Sequence, residues 1–385
     1  MELKCENLFR TIEKLFPSYI PVWEDICNIE SPTSCKVGVD AVGQYVSNLA
    51  AAHGWTVDKF SQPVSGDVIC ITMNPHSLNA PISLSGHMDT VHPVGSFGIP
   101  AVHMDEEKIY GPGVVDCKGG IVAALLAMDA LQEIGFTERP IQLLLQSDEE
   151  NSSMSSNKET IGYICKKAAN SVAFLNLEGF VPGKACLARK GIVSFCFTVH
   201  GIAAHAAHCA IAGASAIAEA AHKILELEKL KDDAGLTCTC GTISGGTAEN
   251  AVPDICTFGV NIRFATQEQL EWVKAYVQNV ADRVWIPGCT CDVSLTSYRV
   301  AMEYQQRNAN LLETMNQIFS ENGLSTLEKT VRAGGSDAAD ITAYGIPCVD
   351  NLGPCGDNLH SPKEYCWLHS LKESAMRIAA VVFCI

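Results

Sequence analysis

The sequence predicts an α/β fold: a mostly parallel mixed sheet, with an α+β domain of ferredoxin-like order set into it. Two observations carry this. In the first half, helical stretches alternate with short apolar runs, the pattern of a parallel sheet covered on both faces. Near Arg189-Lys190-Gly191 the runs begin to alternate apolar with polar residues. They then follow the order β-α-β-β-α-β, an antiparallel sheet with two helices on one face. From about Val300 the first pattern resumes. Residues 190–299 therefore read as an insert, and residues 1–189 and 300–385 as one discontinuous domain.

The elements follow in order. Residues 8–15 and 39–53 read as helices, the second with Val42, Val46, Leu49 and Ala50 at helical spacing and Gly54 as its C-cap. Residues 57–60 and 67–73 read as strands joined through Ser65-Gly66. A buried strand, 82–85, runs into Gly86-His87. An Ala- and Leu-rich helix, 119–131, stops near Gly135, and strands follow at 141–146 and 172–177. In the insert, strands at 192–200, 236–243, 255–264 and 290–296 enclose helices at 210–227 and 267–284. Beyond it, 311–318 and 338–343 read as helices and 346–350 as a strand. No internal repeat or low-complexity linker appears.

Composition excludes several classes. The chain has 385 residues, 47% hydrophobic and 18% charged, enough for a large core. A formal charge of −16 argues against nucleic acid or an anionic membrane surface as partner. The first sixteen residues lack the basic start and apolar core of a signal peptide. The apolar stretch 120–131 is too short to span a bilayer and contains Asp129. Eighteen cysteines spread through a long chain without an export signal read as reduced thiols in a cytoplasmic protein.

The chemistry gathers around Asp148-Glu149-Glu150. Three carboxylates at the end of a buried strand are costly to keep ionised without a cation nearby, although such a run alone reads as a solvated loop start. Ligands of an open α/β sheet bind beyond the carboxyl ends of its strands. His87 follows one strand, Glu178 another, Asp116 precedes the Gly119 helix, and His360 lies in a Gly- and Asn-rich loop. A lone histidine is more often a surface or core residue. Together, two imidazoles and three carboxylates suit a pair of divalent ions with mixed N and O ligands, zinc first.

These residues sit in motifs. SGHMDTV occupies residues 85–91, GPGVVDCKGG 111–120, QSDEE 146–150 and RKG 189–191. GIAAHA occupies 201–206, GGTAENAVP 245–253, GGSDA 334–338 and HSPKE 360–364. In kind and order they resemble the co-catalytic zinc hydrolases that include glutamate carboxypeptidase, acetylornithine deacetylase, succinyl-diaminopimelate desuccinylase and aminoacylase. The resemblance spans nearly the whole chain.

The resemblance implies a zinc-peptidase-like catalytic domain, a lid or dimerisation domain at 190–299, and two Zn2+ per chain, with Co2+ or Mn2+ as substitutes. Asp116 corresponds to the carboxylate that bridges both ions, followed in the family by a cis peptide. His87 and Glu178 would complete one ion's ligands, Glu150 and His360 the other's. Asp89 would orient His87 through its second nitrogen, and Glu364 would do the same beside His360. Glu149 corresponds to the general base, so hydrolysis would proceed by metal-bound hydroxide with Glu149 shuttling the proton. His205 corresponds to a histidine that stabilises the oxyanion in the partner's site in dimeric members, which implies a homodimer formed through the insert. Asn250, Arg263, Arg299 and Gly335 correspond to substrate contacts, the arginines suited to a carboxylate.

Some positions depart from the family. Ala207 and Asn261 stand where it often has Gly and Asp, the second weakening the transfer to Arg263. Cys117 reads as a neutral neighbour of the bridge. Cys238, Cys240, Cys289 and Cys291 would make a four-thiolate zinc site only with an unusual C-x-C spacing.

The expectation is a two-metal hydrolase of small peptides or N-acyl amino acids. A glutamate at 178 leans to the carboxypeptidase-like branch. An acetylornithine- or succinyl-diaminopimelate-type deacylase is one alternative. A non-catalytic metal- or ligand-binding scaffold is another, against which the retained Glu149 argues.

Overall fold

A computed structural model describes residues 4–179, 181–232 and 235–385. Its described residues form two compact units. The first comprises 1–188, 304–331 and 336–385, and the second 189–303 with 332–335.

The first unit is built on a six-stranded sheet. In spatial order its strands are Thr56–Phe60, Val68–Met73, Ile141–Gln146, Ile82–His87, Ala173–Asn176 and Cys348–Val349. Val68–Met73 runs antiparallel to both neighbours, and the last four are mutually parallel. Ile82–His87 is buried at every residue, as expected of a strand covered on both faces. The register pairs His87 with Gln146 and Ser85 with Asn176, so three carboxyl ends lie nearly flush. Ile82–His87 ends on His87 itself, and the other two run into loops carrying Glu149-Glu150 and Glu178.

Lys118–Glu133 is buried almost all round and packs between the helices Glu6–Asn28 and Leu368–Cys384. Its first turn approaches the sheet so closely that a Cβ on Gly120 would lie 2.2 Å from the Leu177 carbonyl oxygen. Glycine at 120 is thus a steric requirement. It brings Asp116, just before this helix, beside Glu178, just after Leu177.

Several boundaries differ from the sequence reading. The helix expected at 8–15 runs from Glu6 to Asn28 through Pro17 and Pro21, because Tyr19, Trp23 and Ile26 bury further along the same face. The helices Glu159–Ala168 and Leu368–Cys384 were not foreseen.

The second unit contains an antiparallel sheet in the order Thr237–Gly245, Ile255–Phe264, Gly191–His200, Thr290–Arg299. Gly191–His200 alternates buried and half-buried residues, and its buried side faces the helices Ala216–Leu227 and Gln267–Asp282. The first of these was expected from 210. It starts at 216 because the Ser215 side chain accepts from the Ala218 nitrogen and caps it there. The strands carrying Cys238-x-Cys240 and Cys291 are opposite edges of this sheet, with two strands between them. The four-thiolate site weighed from the sequence is therefore not formed.

Candidate metal centre

Asp116 lies at the middle of the cluster. Its Oδ1 is 3.2 Å from His87 Nε2 and its Oδ2 is 3.3 Å from His360 Nε2. His87 Nε2 also lies 3.7 Å from Glu178 Oε1, and His360 Nε2 lies 3.4 Å from Glu150 Oε2. One carboxylate thus presents an oxygen to each imidazole, and a further carboxylate flanks each. The peptide bond Asp116-Cys117 is cis. His360 adopts φ +60°, a region seldom used by a non-glycine residue.

His87 Nδ1 lies 2.9 Å from the backbone oxygen of Asp89 and 3.4 Å from its Oδ1. A carbonyl only accepts, so Nδ1 is the donor there, and Nε2 faces Asp116 and Glu178. The expected carboxylate contact is thus the longer of two, with the Asp89 carbonyl nearer. The Asp89 carboxylate has another task. Its Oδ1 accepts from the Glu149 backbone nitrogen and its Oδ2 from that of Glu150, both at 3.1 Å, and Oδ2 also accepts from Thr33 Oγ1 at 2.7 Å. One buried side chain therefore holds His87 and the two glutamates in register. Asp148 anchors the following loop, accepting from Ser156 N at 2.9 Å and Thr160 Oγ1 at 2.6 Å.

Whether these residues suit divalent ions can be judged from the donors themselves. Glu150 Oε1 is buried without a hydrogen-bond partner. Donor atoms of His87, Asp116 and Glu150 all lie within 4.8 Å of one another, as do those of His87, Cys117 and Glu178. Imidazole nitrogens and carboxylate oxygens are a zinc-type donor set. Cys117 is the poorest of the group: its Sγ donates to the Leu177 carbonyl at 3.1 Å, and burial pushes its thiol well above the ordinary range.

Titration reflects the crowding of like charges. Burial and the Asp116 charge push Glu150 up to about 8. The Asp116 and Glu150 carboxylates push His360 up to about 10. His87 is also raised, burial opposing and the Asp116 and Asp89 carboxylates prevailing. Burial tends to raise Asp116, but His360 and His87 hold it well below the usual carboxylate range. A divalent cation would replace the protons that now relieve this repulsion.

The other expected residues fall into two groups, both in the second unit. His205 and Asn250 are neighbours: the Ala206 nitrogen donates to the Asn250 carbonyl at 2.9 Å, and His205 pairs with Ala251. His205 is exposed, and its Nδ1 accepts from Ala207 N at 3.1 Å. Arg263, Arg299 and Gly335 form the second group. Arg263 Nε donates to Asn261 Oδ1 at 3.0 Å and its Nη1 to the Ala333 carbonyl at 3.4 Å. The asparagine that departs from the family pattern thus still orients this guanidinium, without adding charge. A Cβ on Gly335 would meet Arg299 Cδ at 2.6 Å, and Arg299 is only 2% exposed.

Glu364 is a correction. It does not orient His360: its carboxylate accepts from the backbone of 113–116 and from His92. His92 was missed, since a single histidine in a loop carries no pattern.

The chain matches the model of Peptidase family M20/M25/M40 over residues 83–383. It is 28% identical over 364 residues to carboxypeptidase G2 of Pseudomonas sp. (strain RS-16), covering 92% of this chain and 86% of the relative. It is 28% identical over 277 residues to a succinyl-diaminopimelate desuccinylase of Nitrosospira multiformis, covering 67% and 70%. Among solved structures, aminopeptidase PepT from Bacillus cereus superposes with a TM-score of 0.79 at 19% identity, covering 95% of this chain and 98% of that one. The last likeness is one of fold.

Proposed function

The chain belongs to peptidase family M20/M25/M40, and from that premise we propose that it cleaves the amide bond of small peptides or N-acyl amino acids, carboxypeptidase-like, with two zinc ions per chain. The observation that carries the reading is the arrangement around Asp116, with one oxygen toward each imidazole and Glu178 and Glu150 beyond them. His87, Asp116 and Glu178 would hold one ion, and Asp116, Glu150 and His360 the other. When bound, such a pair supplies Lewis acidity to the amide carbonyl and acidifies water.

The chain's own residues do the rest. Glu149 is the proton carrier: it accepts a proton from the attacking water and returns one to the leaving amine. Its position depends on Asp89, which accepts from its backbone nitrogen. The neighbours Glu149 and Glu150 divide the work, one moving protons and the other holding an ion.

The second unit supplies recognition in this reading. Arg263, bonded through neutral acceptors, keeps its full positive charge for a substrate carboxylate. Asn250 and Gly335 offer polar and backbone contacts. Arg299 is the weakest of the four because it is enclosed. His205, exposed beside Asn250, serves the oxyanion from the second subunit of a homodimer formed through residues 190–299.

The desuccinylase relative favours a second reading, an acetylornithine- or succinyl-diaminopimelate-type deacylase. A panel of dipeptides and N-acyl amino acids, assayed after reconstitution with zinc, cobalt and manganese, separates the two. Turnover of none by an ion-loaded protein would favour a non-catalytic scaffold instead. A monomer with full activity would refute the role given to His205.

A further inference from the structure

Glu364 is wholly buried, and four donors converge on it. Its Oε1 accepts from the backbone nitrogens of Val115 at 3.0 Å and Asp116 at 3.1 Å. Its Oε2 accepts from the Gly113 nitrogen at 3.1 Å and from His92 Nε2 at 2.8 Å. These bonds join three stretches far apart in sequence: 87–92, which begins at His87; 111–116, which ends at Asp116; and 360–364, which begins at His360. The Gly111 nitrogen adds a fourth backbone tie, to the Glu364 carbonyl at 3.3 Å.

The consequence falls on Asp116. A short side chain can offer one oxygen to each of two neighbours only if its own backbone is fixed. The Asp116 amide is one of the groups that Glu364 holds, and the two amides before it in the Glu364 shell fix the approach of the loop. We propose that Glu364 is a positioning residue. Resting on the two-ion reading above, it sets the 113–116 backbone so that Asp116 turns one oxygen toward each imidazole and would help hold both ions, and His92 completes its hydrogen bonds.

The chemistry of the node makes this testable. An ionised carboxylate is acceptor-only, which is what four N–H donors require. In Glu364→Gln the shape is kept, but the amide nitrogen must face at least one N–H donor. Either the Val115–Asp116 pair or the Gly113–His92 pair loses its acceptor.

Stepwise cobalt(II) binding to the full chain, followed by the visible d–d absorption, reads the geometry directly and does not depend on turnover. Glu364→Gln is expected to bind both ions about 10–100-fold more weakly, with an altered cobalt spectrum. In the zinc-loaded protein, kcat should fall while KM stays near that of the parent. Parent-like affinity and spectrum in Glu364→Gln overturn the proposal while leaving the two-ion reading intact. A parent that binds no ions overturns both. Should Glu364→Gln fail to fold, His92→Ala and His92→Gln decide the matter. Weaker cobalt binding in the first, recovered in the second by the restored amide donor, supports the proposal; parent-like binding in both overturns it.

Discussion

Asp89 Oδ1 accepts a hydrogen bond from the backbone nitrogen of Glu149 at 3.1 Å. The carboxylate beside the His87 imidazole therefore also fixes the residue assigned as base. Its other oxygen accepts from Glu150 N and Thr33 Oγ1, so both oxygens are engaged as acceptors. An asparagine at 89 can accept on one side only. Asp89→Asn is expected to lose about 10–100-fold in kcat and to bind metal more weakly. Steady-state kinetics and metal analysis on one preparation check this.

Removing the base should separate binding from chemistry. Glu149→Gln keeps the backbone bond to Asp89 and the proposed ligands. Its kcat is expected to fall about 10²–10⁴-fold, with the metal content of the parent. Parent-like turnover in this variant would contradict the assignment of Glu149.

Metal affinity should depend steeply on pH. In the ion-free protein Glu150 is pushed up to about 8 and His360 up to about 10, so both hold protons at neutral pH. Zinc must displace them, and its apparent affinity therefore rises with pH from 6 to 8, about tenfold per pH unit for each proton released. Calorimetry in two buffers of different ionisation enthalpy counts those protons. No net release near pH 7 would contradict the ligand assignment.

The second unit contains a buried ion pair whose disruption should act on stability alone. Lys223 is 1% exposed. It donates to the carbonyls of Val280, Ala281 and Arg283 at the end of the helix Gln267–Asp282, and pairs with Glu219 at 3.0 Å. Lys223→Met leaves that carboxylate buried and the carbonyls without their donor. A loss of about 3–5 kcal/mol is expected in denaturant titration, with the metal content of the first unit unchanged.

Much of the centre was legible because its residues sit at fixed offsets from strands and helices. Ile141–Gln146 is a largely apolar stretch, broken by Gln142, between Pro140 and Ser147, and it falls where expected. The proposed ligands His87, Glu150 and Glu178 lie at the end of such strands or within four residues after them, so local pattern reaches them. Glu364 and Asp116 are 248 residues apart, and Asp89 and Glu149 are 60. Bonds of that separation leave no local signature. The first helix, expected only at 8–15, runs on past Pro17 and Pro21, and that continuation depends on burial of Tyr19 and Trp23 against distant residues.

In the proposed reading Asp116 would help hold both ions, with one oxygen toward each imidazole. The most direct measurement is the molar ratio of divalent metal to chain in protein purified without chelator and reconstituted with zinc. A ratio of about two, falling when His87 or His360 is replaced by alanine, is the predicted result. A ratio near zero would contradict a two-ion site.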